Sequence, residues 1–274
     1  MQQISDLEEI EILRELIDNF PKDHPLKRFK QDVYYEVPKL KNLFNTMKQE
    51  DWSYDTISFA YEVFKASITD PENPHEDYVY KKNGSANGQS YKKGDLKVRT
   101  IEDDLKKYQV VVHAAKEFEN YKNLLKKHER YDYHDMILWV IKKFQEKDNL
   151  LAKYQEKYQY VMVDEYQDTN GAQNALLFQL VSYWEKPNIF IVGDDDQSIY
   201  RFQGANMSSI EDFAVKFSPE IVVLEENYRS VQTILDLSKN LIQNNNVRLI
   251  NRFEGLTKNP VSYTHLTLPT SDLV

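Results

Sequence analysis

Three short runs hold residue types whose spacing could do chemistry together. The first is residues 161–170, VMVDEYQDTN, in which Asp164 and Glu165 close a β-prone run. Side chains alternate along a strand, so two adjacent acids point differently. One can hold a magnesium ion through water while the other faces a reacting water. That division of labour suits hydrolysis of a phosphoanhydride. An acid pair is equally the mark of an acidic strand end leading into a helix, with Asp168 or Thr169 as the cap.

The second run is residues 193–205, GDDDQSIYRFQGA. Gly193 permits a sharp turn at a strand end, and three acids follow. Gln197 offers both a donor and an acceptor, which suits reading a terminal phosphate or its attacking water. Tyr200 and Phe202 offer flat faces on which bases could stack, and Arg201 adds a positive charge. The plainer reading is a polar loop with core aromatics. The third run is residues 224–230, LEENYRS. Tyr228 could stack on a purine and Arg229 could fork onto phosphate oxygens. The plainer reading is a surface pair at a helix start capped by Ser230.

These runs need a scaffold, and the hydrophobic pattern predicts one. Ser5 and Glu8 form an S-x-x-E capping box, and Leu7, Ile10, Leu13 and Ile17 share a helical face that Pro21 and Pro25 end. Residues 37–47 and 56–68 predict amphipathic helices, 69–98 a long loop, 99–128 one long charged helix and 132–144 another. Strands are predicted at 158–163, 188–192 and 221–224, with helices at 172–183, 208–217 and 230–243. Alternating strands and helices predict an α/β unit with a parallel sheet, whose ligands bind at the carboxyl ends of the strands. The acids sit at those ends. In the predicted loop, Lys81, Lys82, Lys92, Lys93 and Lys97 alternate with Tyr78, Tyr80 and Tyr91. That pattern suits nucleic acid, and the plainer reading, which carries more weight, is a solvated loop.

Composition bounds the rest. The 274 residues carry a net charge of −9, which weighs against a simple DNA-coating protein but leaves room for a local basic groove. With no cysteine, disulfides, thiol catalysis and cysteine-ligated metal centres are excluded. The six histidines are scattered without ligand spacing. No apolar run approaches the roughly 18 residues of a membrane span. The N-terminus lacks the basic-then-apolar order of a secretory signal, so a cytoplasmic location is expected. There are only 7 glycines, and none satisfies the phosphate-cradling pattern G-x-x-x-x-G-K-[ST]. Gly88 and Gly94 have the nearest spacing, but Asp95 follows.

In order and spacing the three runs resemble motifs II, III and IV of the UvrD/Rep/PcrA family of superfamily-1 DNA helicases. The upstream YDYHDMI resembles the family's Asp-Phe-x-Asp-Leu segment. The likeness covers about residues 100–260, and 1–98 carry no diagnostic motif. It implies a P-loop NTPase (RecA-like) parallel-sheet core preceded by a largely α-helical insert domain. The insert would span 1–128, with its basic-aromatic loop at 69–98. Part of motor domain 1 would span 129–224, and the start of motor domain 2 would span 225–260.

The implied activity is ATP-driven 3′-to-5′ translocation on single-stranded DNA and duplex unwinding, in DNA repair or replication. ATP and Mg2+ would be the cofactors, and single-stranded and duplex DNA the partners. By the family's pattern Asp164 holds magnesium, Glu165 is the general base and Gln197 senses the γ-phosphate. Tyr200, Arg201 and Phe202 lie at the DNA, Tyr228 stacks on adenine and Arg229 reaches the γ-phosphate. Gln173 would brace the loop after motif II. The family usually has arginine where this chain has Gln203, and Arg201 is the expected substitute.

In the family the phosphate loop lies upstream of these motifs and further motifs lie downstream. The chain is therefore expected to be an internal piece of a longer helicase, inactive alone. Residues 261–274 depart from the family, and VSYTHLTLPT resembles a translated sequencing adapter, so a non-native read-through tail is expected there. Two other classes compete. A non-catalytic DNA- or partner-binding module derived from a helicase core would keep the same residues. A metal-dependent nuclease would use the carboxylates but leaves Gln197 and ENYRS unexplained.

Overall fold

The computed structural model describes residues 1–27, 32–70, 75–86, 89–197, 208–245, 248, 250 and 257–263. The chain forms two compact units, Met1–Lys153 with Gly171–Gln179, and Tyr154–Asn170 with Leu180–Val274. Its class is mixed α/β with short parallel strands.

The first unit is built on capped helices. Strand β1 (Gln2–Gln3) leads into α1 (Asp6–Asp18), where the Ser5 hydroxyl accepts from the Glu8 N–H and the Glu8 carboxylate accepts from the Ser5 N–H at 2.9 Å. The buried stripe of α1 is Ile12, Leu13, Leu16 and Ile17, whereas Leu7 is 68% exposed. A first-turn side chain tilts back past the end of the helix, so Leu7 misses the face it was expected to join. Helices α2 (Val37–Gln49) and α3 (Tyr54–Thr69) follow.

The stretch predicted as loop instead contains an antiparallel hairpin, β2 (Gly84–Ala86) with β3 (Gln89–Tyr91). Next comes α4 (Val98–Lys116) and, after a break at Glu117, α5 (Phe118–Lys127). The single helix predicted over 99–128 is thus two. The break lies at Glu117, φ −81° and ψ −3°, and Ala114, Phe118, Tyr121 and Leu125 keep helical spacing across it and are all buried. Strand β4 (Arg130–Tyr131) pairs in parallel with β1, and α6 (Tyr133–Glu146) and α7 (Asp148–Lys157) follow. Phe44 stacks on Tyr121 at the centre of the core, ring centroids 4.9 Å apart.

Beside that stack Lys48 is fully buried. Its ammonium lies 2.7 Å from Asp132 and 2.9 Å from Asp135, and 5.3 Å from the centre of the Tyr121 ring. The two aspartates form the capping box that starts α6, so one buried cation ties α2 to the entry of α6. Burial and the nearby Glu9 charge push the Tyr121 hydroxyl far above its ordinary pKa.

The second unit supplies the strands. β5 (Val161–Val163) and β6 (Ile189–Ile191) pair in parallel, with Val161 opposite Ile189, Met162 opposite Phe190 and Val163 opposite Ile191. The helix α8 (Gly171–Val181) lies between them in sequence. The helix α9 (Ser208–Phe217) has the predicted bounds. The β5–β6 pair is covered on one face alone: Met162 is 80% and Phe190 62% exposed. Residues 221–224 form no strand. The strand lies just after them as β7 (Glu226–Asn227), the helix α10 (Gln232–Ile242) follows, and β7 pairs in parallel with β8 (Val261–Ser262). β-propensity alone does not make a strand; a hydrogen-bonding neighbour does, and β8 faces 226–227. Residues 261–263, in the expected tail, therefore carry backbone pairing, with the Tyr263 N–H on the Asn227 carbonyl at 2.8 Å. Among the described residues no helix is long and apolar enough to cross a membrane.

Candidate active site

Pairing of β5 with β6 brings two acidic strand ends to the same level. Beyond the register the ladder runs on: the Val192 N–H donates to the Val163 carbonyl at 2.8 Å and the Tyr166 N–H to the Val192 carbonyl at 2.9 Å. Asp164 and Glu165 therefore leave β5 beside Gly193 and Asp194 leaving β6.

Glu165 takes φ 49°, ψ 44°, a left-handed conformation uncommon for a residue with a side chain. It turns the chain sharply off the strand into the short 3-10 turn Tyr166–Asp168. The Asp164 carboxylate accepts the Glu165 N–H at 2.9 Å and fastens the turn. Tyr166, fully buried, anchors it from below by packing edge-on against Phe213, centroids 5.6 Å apart. Burial, aided by the Asp212 charge, raises the Tyr166 hydroxyl to a pKa of about 12, so it stays neutral. Thr169 donates its hydroxyl back to the Tyr166 carbonyl at 2.7 Å.

Gln167, next in the turn, is buried and joins the two strand ends. Its Nε2 donates to the Glu165 carboxylate at 2.6 Å, and its Oε1 accepts the Asp194 N–H at 3.0 Å. Gly193 makes room for this: a Cβ there would lie 2.8 Å from the Gln167 oxygen. Asp194 in turn accepts from Gln197 Nε2 at 2.9 Å and from the Asp196 N–H at 3.1 Å. Glu165 and Gln197 are thus linked through Gln167 and Asp194. Nothing in residue type alone marks Gln167; its role comes from burial in a turn whose polar neighbours face it.

The three acids 194–196 are met by two cations from the end of the chain. Arg248, buried, makes a bidentate pair with Asp196 at 2.7 and 2.6 Å. Lys258 binds Asp194 at 2.8 Å, Asp196 at 3.5 Å and also the buried Asp195. Burial opposes the charge on Asp194, but hydrogen bonds from Lys258 and Gln197 outweigh it and hold the carboxyl below its ordinary range. Burial likewise opposes the charge on Lys258, and the bonds to Asp194 and Asp195 overcome it. The hydrogen bonds to Asp196 raise Arg248 further. These carboxylate oxygens lie close enough together to hold a metal ion. Lys258 and Arg248 already offset two of their three charges. The exposed Asp164–Glu165 pair fits magnesium better: hard oxygen donors at a solvent-facing strand end, where the ion keeps its waters.

The other predicted residues lie apart. Tyr228 is 67% exposed, donates its hydroxyl to Glu226 at 2.5 Å and stacks on Tyr263, centroids 5.6 Å apart. Asn227 accepts the N–H groups of Arg229 at 3.0 Å and Ser230 at 2.7 Å, which shapes the turn into α10. Ser230 is not the cap; Val231 holds that position. Among the described residues Arg229 makes no ion pair with the acids. Tyr200, Arg201 and Phe202, and with them Gln203, lie outside the described residues.

Comparison with known proteins places the chain in a family. The family model for the UvrD/REP helicase N-terminal domain matches residues 7–218, and so takes in the helical residues that carry no motif of their own. The chain is 41% identical over 137 residues to the ATP-dependent DNA helicase PcrA of Leuconostoc citreum, across 50% of this chain and 18% of that protein. It is 41% identical over 132 residues to the helicase of the same name from Bacillus subtilis (strain 168), across 48% of this chain and 18% of that protein. The matched stretch thus spans less than a fifth of either relative.

Proposed function

The chain belongs to the UvrD/REP helicase family, and from that premise we propose that residues 161–229 supply the water-activating side of the ATP site of a DNA helicase. The observation that carries this reading is the Glu165–Gln167–Asp194–Gln197 linkage across two adjacent strand ends. The surrounding fold is a RecA-like parallel-sheet core. Residues 129–224 belong to a first motor domain and 225–260 to the start of a second, behind a helical insert over 1–128.

Glu165 takes the proton of the attacking water as general base. Gln167 holds one oxygen of that carboxylate, which orients the other toward the water. Gln197 donates to Asp194 in the present arrangement and turns the same N–H groups to the γ-phosphate of ATP. Asp164 would hold Mg2+, which when bound would supply charge neutralisation at the phosphates. Tyr228 offers its exposed face to adenine, and Arg229 its guanidinium to the γ-phosphate. Tyr200, Arg201 and Phe202 contact single-stranded DNA, so that hydrolysis drives 3′-to-5′ translocation and duplex unwinding in repair or replication, in the cytoplasm.

A graft tests this. Residues 129–229 replace the matching stretch of the Bacillus subtilis relative, and DNA-stimulated ATP hydrolysis is measured. The graft should turn over ATP, and Glu165→Gln should abolish turnover while leaving ATP binding intact. A graft that binds ATP and hydrolyses it equally with Gln at 165 refutes the reading.

A further inference from the structure

The described residues of the basic-aromatic stretch, 78–86 and 89–97, include the β2–β3 hairpin, and its two residue types do separate jobs. The tyrosines brace it. Tyr80 and Tyr91 stack face to face, 3.6 Å between centroids and 11° between planes. Gly84 lets Tyr91 fold across the strand, since a Cβ there would meet the Tyr91 hydroxyl at 2.5 Å. Tyr78 fixes the base of the hairpin to α4 through Asp104, 2.9 Å away, and Val79 bridges to Leu96. Polar side chains flanking the two strands bond to the backbone. Asn83 accepts the Lys93 N–H at 2.7 Å and Asp95 accepts the Lys92 N–H at 2.6 Å. The Lys97 ammonium donates to the Asp77 carbonyl at 2.8 Å.

What remains outside is charge. Lys81, Lys82, Lys92 and Lys93 are exposed, and among the described residues none of them has an acidic partner. Four unmatched cations on a braced hairpin, in a chain of net charge −9, form a positive island. Such an island attracts a polyanion, and holding the lysines on a fixed frame lowers the entropy lost on binding.

We infer that this hairpin is a nucleic-acid docking surface that grips the phosphate backbone of DNA without reading its bases. The choice of DNA over another polyanion rests on the helicase reading above. Indifference to sequence follows from the lysines, because lysine–phosphate contacts carry no sequence information, while Tyr80 and Tyr91 each give one face to the other.

The test is fluorescence anisotropy of the whole chain with short labelled oligonucleotides, single-stranded and duplex, across a salt series. Replacing Lys81, Lys82, Lys92 and Lys93 together by glutamine should weaken binding about tenfold or more at low salt. It should also flatten the salt dependence by about 0.7 in log–log slope for each single-strand phosphate that is no longer neutralised. Tyr91→Ala keeps every charge and should still weaken binding several-fold, because the frame loosens; circular dichroism checks that the helices persist. Equal affinity and slope for the parent and the four-lysine variant overturn the hairpin assignment and leave the DNA reading standing. A parent chain that binds no DNA overturns both. Retained DNA binding by the variant, together with abolished binding to polyglutamate or to anionic vesicles, also overturns the assignment, in favour of that other polyanion.

Discussion

The Gln167 amide nitrogen lies 2.6 Å from the Glu165 carboxylate, and the same side chain receives the Asp194 N–H from the neighbouring strand end. One buried amide thus sets the orientation of an acid held in left-handed backbone and ties it to the loop that carries Gln197. The interaction is charge-assisted on the Glu165 side, which makes it the stronger of the two.

Gln167→Leu removes both bonds and leaves the Asp194 N–H without its acceptor. The expected loss is about 1–3 kcal/mol in urea unfolding, the cost of stranding a buried polar group. Hydrogen exchange at the Asp194 amide should quicken at the same time. Unchanged exchange there would show that the bridge does not hold the two ends together.

Gly193→Ala tests the same joint from the other side. The new Cβ would sit 2.8 Å from the Gln167 oxygen and 3.4 Å from the backbone nitrogens of Tyr166 and Gln167. Displacing Gln167 should cost about 1–3 kcal/mol, the usual range for overpacking. Combined with Gln167→Leu the losses should fall short of additive, because both act on one contact.

Lys48→Met strips the buried cation from Asp132 and Asp135. Unfolding should become easier by about 3–5 kcal/mol, since two acids lose their counter-charge out of water. Adding Asp132→Asn and Asp135→Asn should recover part of that loss, because asparagine still caps α6 without a charge. Thermal denaturation of the three variants gives the comparison.

The cation–acid cluster at 194–196 has a pH signature. Asp194 is depressed below its ordinary 3.8, so its stabilisation is present above that value and fades as the pH falls through the lower folded value. Lys258 is raised above its ordinary 10.5, so its share is full below that value and fades as the pH rises through the higher folded value. Amide exchange of residues 193–197, corrected for its intrinsic pH dependence, should be flat between about pH 5 and 9 and rise outside. A transition near neutrality would count against this pairing.

No G-x-x-x-x-G-K-[ST] loop occurs in these 274 residues. The isolated chain should therefore release no phosphate from ATP above background, with or without single-stranded DNA. Robust turnover that Glu165→Gln abolishes would show that the phosphates are held by other groups.

Short-range features were legible in the residues alone. The Ser5–Glu8 box, the 208–217 helix, the order of strands and helices and the placing of Asp164 and Glu165 at a strand tip all depend on neighbours a few positions away. Capping and periodicity act over that distance, so spacing suffices to read them. The break at Glu117, the shift of the third strand to Glu226–Asn227 and the pairing of β2 with β3 were not legible. Each depends on which partner surface is present, and a sequence pattern is silent about partners.

The acids, Gln197 and the helicase likeness were thus set by residue identity. Folding alone decided that Gln167 would bridge Glu165 and Asp194, and that Arg248 and Lys258 would neutralise acids more than fifty residues earlier. The physical reason is that buried polar groups must find partners wherever the chain brings them. For groups this far apart in sequence, those partners are fixed when the chain closes on itself.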